Sequence, residues 1–285
     1  MICDLHTHSC FSDGTNTPTE IISLAVKKGL SAVALTDHNN ILGLEEFFAA
    51  AEKTNIEAVG GIEISAEFLN KEIHILGLFV TKEHFVALSD YLEDYSMKKI
   101  ISYKKLYEKL VRAGYDISYK NIAKFSENGV FNRVHFAKEL MNKGYVSSIK
   151  EAFKGVLSED KGYYTPVKRL NGFEVIEFLS SIGLTPVLAH PFLNLEYNEL
   201  LEFLPKAKEK GLKAIETDYS LFNEEQTQNA HKLAEQFGLL KSGGSDYHGE
   251  NKPHIDLAVG KGNLVIPYEY YLNLKNKSER FAHTP

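Results

Sequence analysis

Hydrophobic and polar positions follow two rhythms along the 285 residues. Short apolar runs of strand length recur at 2–5, 31–36, 56–64, 72–80, 184–189, 212–217 and 239–243. Between most of them the apolar positions fall three and four apart, the spacing of one helix face. That spacing predicts helices over 17–28, 42–54, 171–182, 196–210 and 223–237. The first has a clear start: Thr17 caps it, Pro18 opens the first turn and Glu20 completes a capping box, with Gly29 past its end. A polar connection near Asn70-Lys71 joins the runs at 56–64 and 72–80. Alternation of this kind predicts a mostly parallel α/β fold. The later strands recur about every 28 residues, the repeat of barrel βα units.

The middle breaks the rhythm. From 84 to 170 no strand pattern occurs, and helices are expected over 84–113, 119–125, 133–143 and 147–154, punctuated by Gly114, Gly129, Gly144 and Gly155. This stretch reads as a helical insertion that caps an α/β body formed by 1–83 and 171–285. The tail from about 267 reads as a final helix with a frayed end.

Charge sharpens that division. The chain carries a net −6, yet residues 97–170 hold 16 lysines and arginines against seven acidic residues. A basic insertion in an acidic protein points to a small anionic ligand, and the overall charge argues against stable binding of long nucleic acid. Two cysteines give no disulfide framework, and there is no signal peptide or apolar run of membrane-spanning length. A cytoplasmic protein is expected; its oligomeric state is left open.

Candidate chemistry collects where strands end. Asp4-Leu5-His6-Thr7-His8-Ser9 closes the first strand, with Asp13 shortly after. Residues two apart on a strand share a face, so His6 and His8 can hold one ion. Asp37-His38 ends the second strand, Glu63 the third, and His74 lies within the fourth. His190 ends a later strand in Ala189-His190-Pro191, and Asp246 and His248 follow the last. Strand ends of one sense meet on one face of a barrel. Imidazole and carboxylate without thiolate suit manganese, iron or zinc, and clustered divalent ions suit phosphoryl chemistry by activating a water. No Walker loop or Gly-x-Ser-x-Gly elbow competes. Cys10 reads as a small buried residue rather than a nucleophile.

These motifs together resemble the PHP (polymerase and histidinol phosphatase) family: Asp-Leu-His-Thr-His-Ser, Thr36-Asp37-His38, Glu63, His74, Ala-His-Pro at 189–191 and Gly-Ser-Asp-Tyr-His at 244–248. The resemblance runs from residue 2 to about 249. It implies a distorted seven-stranded (β/α) barrel with a trinuclear site, manganese favoured. By position, His6, His8, Glu63 and Asp246 would hold one ion, Glu63, His74 and His190 a second, and Asp13, His38 and His248 a third. The stretch Phe131-Asn132-Arg133-Val134-His135-Phe136-Ala137 resembles the Arg-Pro-His-Phe-Ala motif of small PHP phosphoesterases that act on nucleoside 3′,5′-bisphosphates, and some relatives trim short RNA 5′ ends. Val134 stands where Pro is usual, and Asn39-Asn40 where Asp-Thr is common.

The resemblance thus implies a metal-dependent phosphoesterase taking 3′-phosphoadenosine 5′-phosphate to AMP. Arg133 and His135 would contact substrate phosphate, His135 serving as general acid or phosphate ligand. Apart from the resemblance, Tyr163-Tyr164 late in the insertion reads either as a substrate contact, Tyr164 stacking on a base or bonding a phosphate, or as structural. The alternatives are a 5′–3′ exoribonuclease on short RNA, a histidinol-phosphatase-like enzyme, a cyclic amidohydrolase and a non-catalytic metal-binding module.

Overall fold

The computed structural model describes residues 1–125 and 132–282, and Gly129, Phe131 and His283 lie outside them. Its strands are β1 (Cys3–Asp4), β2 (Ala32–Leu35), β3 (Glu57–Phe68), β4 (Lys71–Leu78), β5 (Leu170–Asn171), β6 (Thr185–Ala189), β7 (Ala214–Tyr219) and β8 (Leu240–Gly244). The sheet path is β1-β2-β3-β4-β6-β7-β8, a nearly closed seven-strand barrel, and β5 pairs with β3 beside it. The seam is closed between β1 and β8 by hydrogen bonds from Leu5 N to Gly243 O (3.1 Å) and from His8 N to Tyr247 O (2.9 Å). Asp4 staples it further, its carboxylate accepting from the backbone N–H of Ser245 (2.9 Å) and Ala258 (2.8 Å). Gly244 permits the approach: a Cβ there would stand 2.2 Å from that of His6.

The barrel is mixed rather than parallel throughout. β4 runs antiparallel to both β3 and β6. β3 also continues to Phe68, past its predicted end, because it forms a hairpin with β4. The turn places Leu69 and Asn70 in left-handed backbone (φ 52° and 60°), the conformation a tight hairpin needs.

Side-chain alternation along the strands separates two apolar layers. Ala32, Ala34, Val59, Leu76, Leu78, Val187 and Ala189 fill the barrel with Cys3 and Leu5. Val33, Leu35, Ile62, Ile64, Ile75 and Leu188 face the outer helices. Those helices are α1 (Pro18–Lys27) and α2 (Leu44–Ala51) before the insertion. The insertion supplies α3 (Phe85–Arg112), α4 (Tyr119–Ala123), α5 (Arg133–Asn142) and α6 (Ile149–Lys154). After it come α7 (Gly172–Ser181), α8 (Tyr197–Glu209), α9 (Glu224–Phe237) and α10 (Tyr268–Ala282). The capping box of α1 forms as its sequence predicts, and α10 sends Tyr271 and Leu274 into the barrel layer. The insertion packs around its own cluster, with Leu106, Leu110, Ile122, Phe136 and Leu140 fully buried.

Candidate metal centre

The barrel's alternation decides which polar side chains point inward. Glu63 shares the parity of Val59 and stands opposite Leu76, while His74 shares the parity of Leu76 and Leu78. Both therefore face the lumen. Glu63 sits well inside β3 rather than at its end, and the reversal of β4 brings the start of that strand, with His74, to the same mouth.

All nine candidate ligands gather there. Four overlapping groups have ligand atoms within 4.8 Å of one another: His8, Asp13, His38 and His248; His6, Glu63 and His190; His6, His8 and Asp246; His38, Glu63 and His74. Glu63 is the hub. Its Oε1 lies 2.8 Å from His74 Nδ1, 3.0 Å from His190 Nε2 and 3.3 Å from His6 Nε2. Its Oε2 lies 2.9 Å from His38 Nδ1 and 3.2 Å from His8 Nε2. Asp246 Oδ1 stands 3.3 Å from His8 Nε2, and Asp13 Oδ1 3.2 Å from His248 Nε2.

The donor set fits divalent cations on two counts. First, His8 Nδ1, His38 Nδ1 and Glu63 Oε2 are buried with no aligned hydrogen-bond partner among the described residues. Buried polar atoms ordinarily have one. The Nε2 atoms of His6 and His8 also face each other at 3.0 Å, an arrangement that needs a shared proton or a cation. Second, the carboxylates leave the centre short of positive charge. Burial disfavours imidazolium, yet Asp246 and Glu63 push His8 up to about 9, and Glu63 pushes His74 up to about 10. Burial likewise opposes ionisation of Glu63, but His38, His74 and His6 hold it well below the usual carboxylate range.

A layer of supporting groups orients these ligands. Glu216 on β7 takes His6 Nδ1 at 3.0 Å and the His190 backbone N–H at 2.6 Å. A second nitrogen fixed in this way sets which nitrogen of the ring is presented inward. Tyr219 and Lys252 donate to Asp246 Oδ2 at 2.7 and 2.6 Å, leaving Oδ1 toward the histidines. Asp37 caps the loop after β1, accepting from Ser9 and Ser12. His190 and Asp246 hold positive φ (26° and 56°), a strain that marks functional backbone. Sequence reasoning missed Glu216, although its parity with Ala214 and its place in an apolar strand were the available signal.

The insertion closes over the mouth. A cavity of about 670 Å³ runs from Asp13, His38 and His74 to α3 and the start of α5, where Lys99 and Arg133 line it. Asn132 caps α5 and also donates from its side chain to Ser12 O (2.8 Å), tying α5 to the loop that carries Asp13. The Arg133 guanidinium lies over the rings of Tyr164 (4.3 Å) and Phe153 (5.0 Å). Tyr164 is thus buried beneath Arg133 in the insertion core rather than among the cavity walls. His135 is 3% exposed, and its Nδ1 accepts from Asn132 N at 3.4 Å. Burial and Lys138 push its pKa down to about 4, so the ring is neutral at pH 7. Cys10 is half-buried, not buried as expected, and both cysteines are free of disulfide. Among the described residues no helix is long and apolar enough to cross a membrane.

Comparison with known proteins places this arrangement. The PHP domain model matches residues 4–164. A 5′-3′ exoribonuclease of Haemophilus influenzae is 32% identical, covering 86% of this chain and 89% of that protein. A 3′,5′-nucleoside bisphosphate phosphatase of Chromobacterium violaceum is 29% identical over 86% of each. Among solved structures, a candidate metal-dependent phosphoesterase of Bifidobacterium adolescentis superposes with a TM-score of 0.83 at 25% identity, covering 96% of both chains. With more than half of its length matched by the domain model, and a barrel mouth that gathers all nine motif residues, this chain belongs to the PHP family.

Proposed function

We propose that this PHP phosphoesterase removes the 3′-phosphate of a nucleoside 3′,5′-bisphosphate such as 3′-phosphoadenosine 5′-phosphate, leaving AMP. The observation that carries the reading is the cavity between the ligand cluster and the basic insertion. Its volume, about 670 Å³, is that of a small-molecule site, and it is deep enough in polar and aromatic groups for a nucleotide. Residues 84–170 act as the substrate cap.

His6, His8, Glu63 and Asp246 would hold one ion, Glu63, His74 and His190 a second, and Asp13, His38 and His248 a third, with manganese favoured over zinc or iron. Divalent ions there supply an acidified water and neutralise charge on the phosphate oxygens. The remaining work belongs to side chains of the chain itself. Glu216 fixes the His6 ring, and Lys252 with Tyr219 fixes Asp246. Arg133, held over the Tyr164 ring, offers a planar fork to a phosphate. His135 accepts at Nδ1 from Asn132, so its neutral ring carries the proton on Nε2; it is buried, with Asn132, Arg133 and Val134 rather than itself on the cavity wall, and it would steady the start of α5 that presents Arg133.

Exoribonuclease action on short RNA is the second reading, favoured by the basic insertion and by the Haemophilus relative. A long nucleic acid is not a stable partner in either case. Two cysteines outside any disulfide suit a reducing, cytoplasmic compartment. The test is hydrolysis of 3′-phosphoadenosine 5′-phosphate by protein stripped of metal and then resupplied with manganese. Activity lost and restored supports the reading; no phosphate release with any divalent ion overturns it. Stepwise mononucleotides from a 5′-phosphorylated oligomer, with the bisphosphate untouched, would favour the ribonuclease.

A further inference from the structure

Lys99 is the feature the reading above leaves unused. It projects from α3 into the cavity and is half-buried. Its ammonium lies 5.4 Å from the Tyr95 ring centre and 5.8 Å from that of Tyr103. Among the described residues it has no ion pair and no hydrogen bond, although partly buried lysines are normally paired. The nearby carboxylate Glu72 is committed elsewhere, to Arg169 at 3.0 Å and to His74 at 3.4 Å. Arg133, on the same cavity wall, likewise rests on aromatic rings with no carboxylate partner among the described residues. Burial pushes the Lys99 pKa down to about 8; Glu72 opposes the fall, and repulsion from Arg133 and Arg169 adds to it. Lys99 and Arg133 thus face one cavity with no direct carboxylate partner, although Glu72, Asp90 and Glu93 also line it, and an anion entering between the two cations would engage both.

We infer that Lys99, together with Arg133, forms an anion subsite on the insertion side of the cavity that grips the non-scissile phosphate of the substrate. The inference rests on the reading of this cavity as the substrate site. The scissile phosphate belongs at the nine-ligand mouth, so a second anionic group of the same molecule reaches the cations on α3 and α5. The chemistry is a terminal phosphate monoester on a nucleoside, carried by a mononucleotide or by a short RNA 5′ end.

The test compares wild type, Lys99→Met and Lys99→Arg on 3′-phosphoadenosine 5′-phosphate and on adenosine 3′-phosphate, which lacks the second phosphate. The preference for the bisphosphate, as the ratio of kcat/KM values, should fall about 10- to 100-fold in Lys99→Met, the worth of one charge-assisted hydrogen bond. The loss should sit in KM, and Lys99→Arg should recover most of it. Calorimetric titration with AMP should weaken in parallel. A ratio and an AMP affinity within twofold of wild type would overturn the subsite. If wild type cleaves neither mononucleotide while AMP binding still drops in Lys99→Met, the subsite stands and the bisphosphatase reading falls. Trinucleotides with and without a 5′-phosphate then show whether the anion is an RNA end.

Discussion

The barrel mouth and the helical insertion face each other across one cavity, and they hold their chemistry in different ways. At the mouth, side chains issue from strands and strand ends locked by the sheet, and Glu63 touches five histidines at once. Across the cavity, Lys99 and Arg133 hang from helices and are steadied by aromatic faces. The far part of the insertion packs on its own apolar cluster, while the first half of α3 joins the core outside the barrel through Leu88 and Leu92, with Tyr91 stacked on Phe178. A centre built on interlocked strands tolerates little change, whereas Lys99 and Arg133 stand on helices and touch none of the nine ligand candidates. Under the proposed function, the contrast assigns reactivity to the mouth and selectivity to the insertion.

The most severe way to test that separation is Glu63→Gln. Outer groups around metal ligands cost about 10- to 100-fold when altered, so loss of the hub should exceed about 100-fold in kcat/KM, with reduced bound metal by elemental analysis. Next, Phe136→Ala empties a fully buried site in the insertion and should destabilise it by about 3–5 kcal/mol. Urea unfolding followed by several probes would show an early transition confined to the insertion; one coincident transition would show that the two regions are energetically fused. Glu216→Gln should weaken metal affinity about 10- to 100-fold, read by titration of metal-free protein. The mildest change is Arg133→Lys, which keeps the charge but removes the fork. It should raise KM by up to about tenfold and leave bound metal unaltered. Metal loss in that variant would break the comparison.

Much of this was legible in the residues. Strand and helix rhythm, the capping box at Thr17 and the basic stretch all appear where the pattern places them. Seven of the nine ligand candidates converge because the segments after strands meet on one face of the barrel, whereas Glu63 and His74 join them from within β3 and the reversed β4. Other features depended on contacts that a linear pattern does not carry. The extension of β3 to Phe68 follows from pairing with β4, not from its own residues. Glu216 is silent until β7 takes its place beside β8 and next to His6. The residues left Tyr164 open between a substrate contact and a structural role, and the fold sets it in the insertion core under Arg133. The isolation of Lys99 shows only once Glu72 is seen bound to Arg169 and His74.

The β1–β8 seam has a consequence in time. Asp4 and the Ser245 amide it staples are 241 residues apart in sequence. A ribosome adding about 5–20 residues per second needs roughly 10–50 s to span that gap. His6 and His8 are therefore made long before Asp246 and His248, and the ligand set is complete only once the last strand has been synthesised and the ring can close.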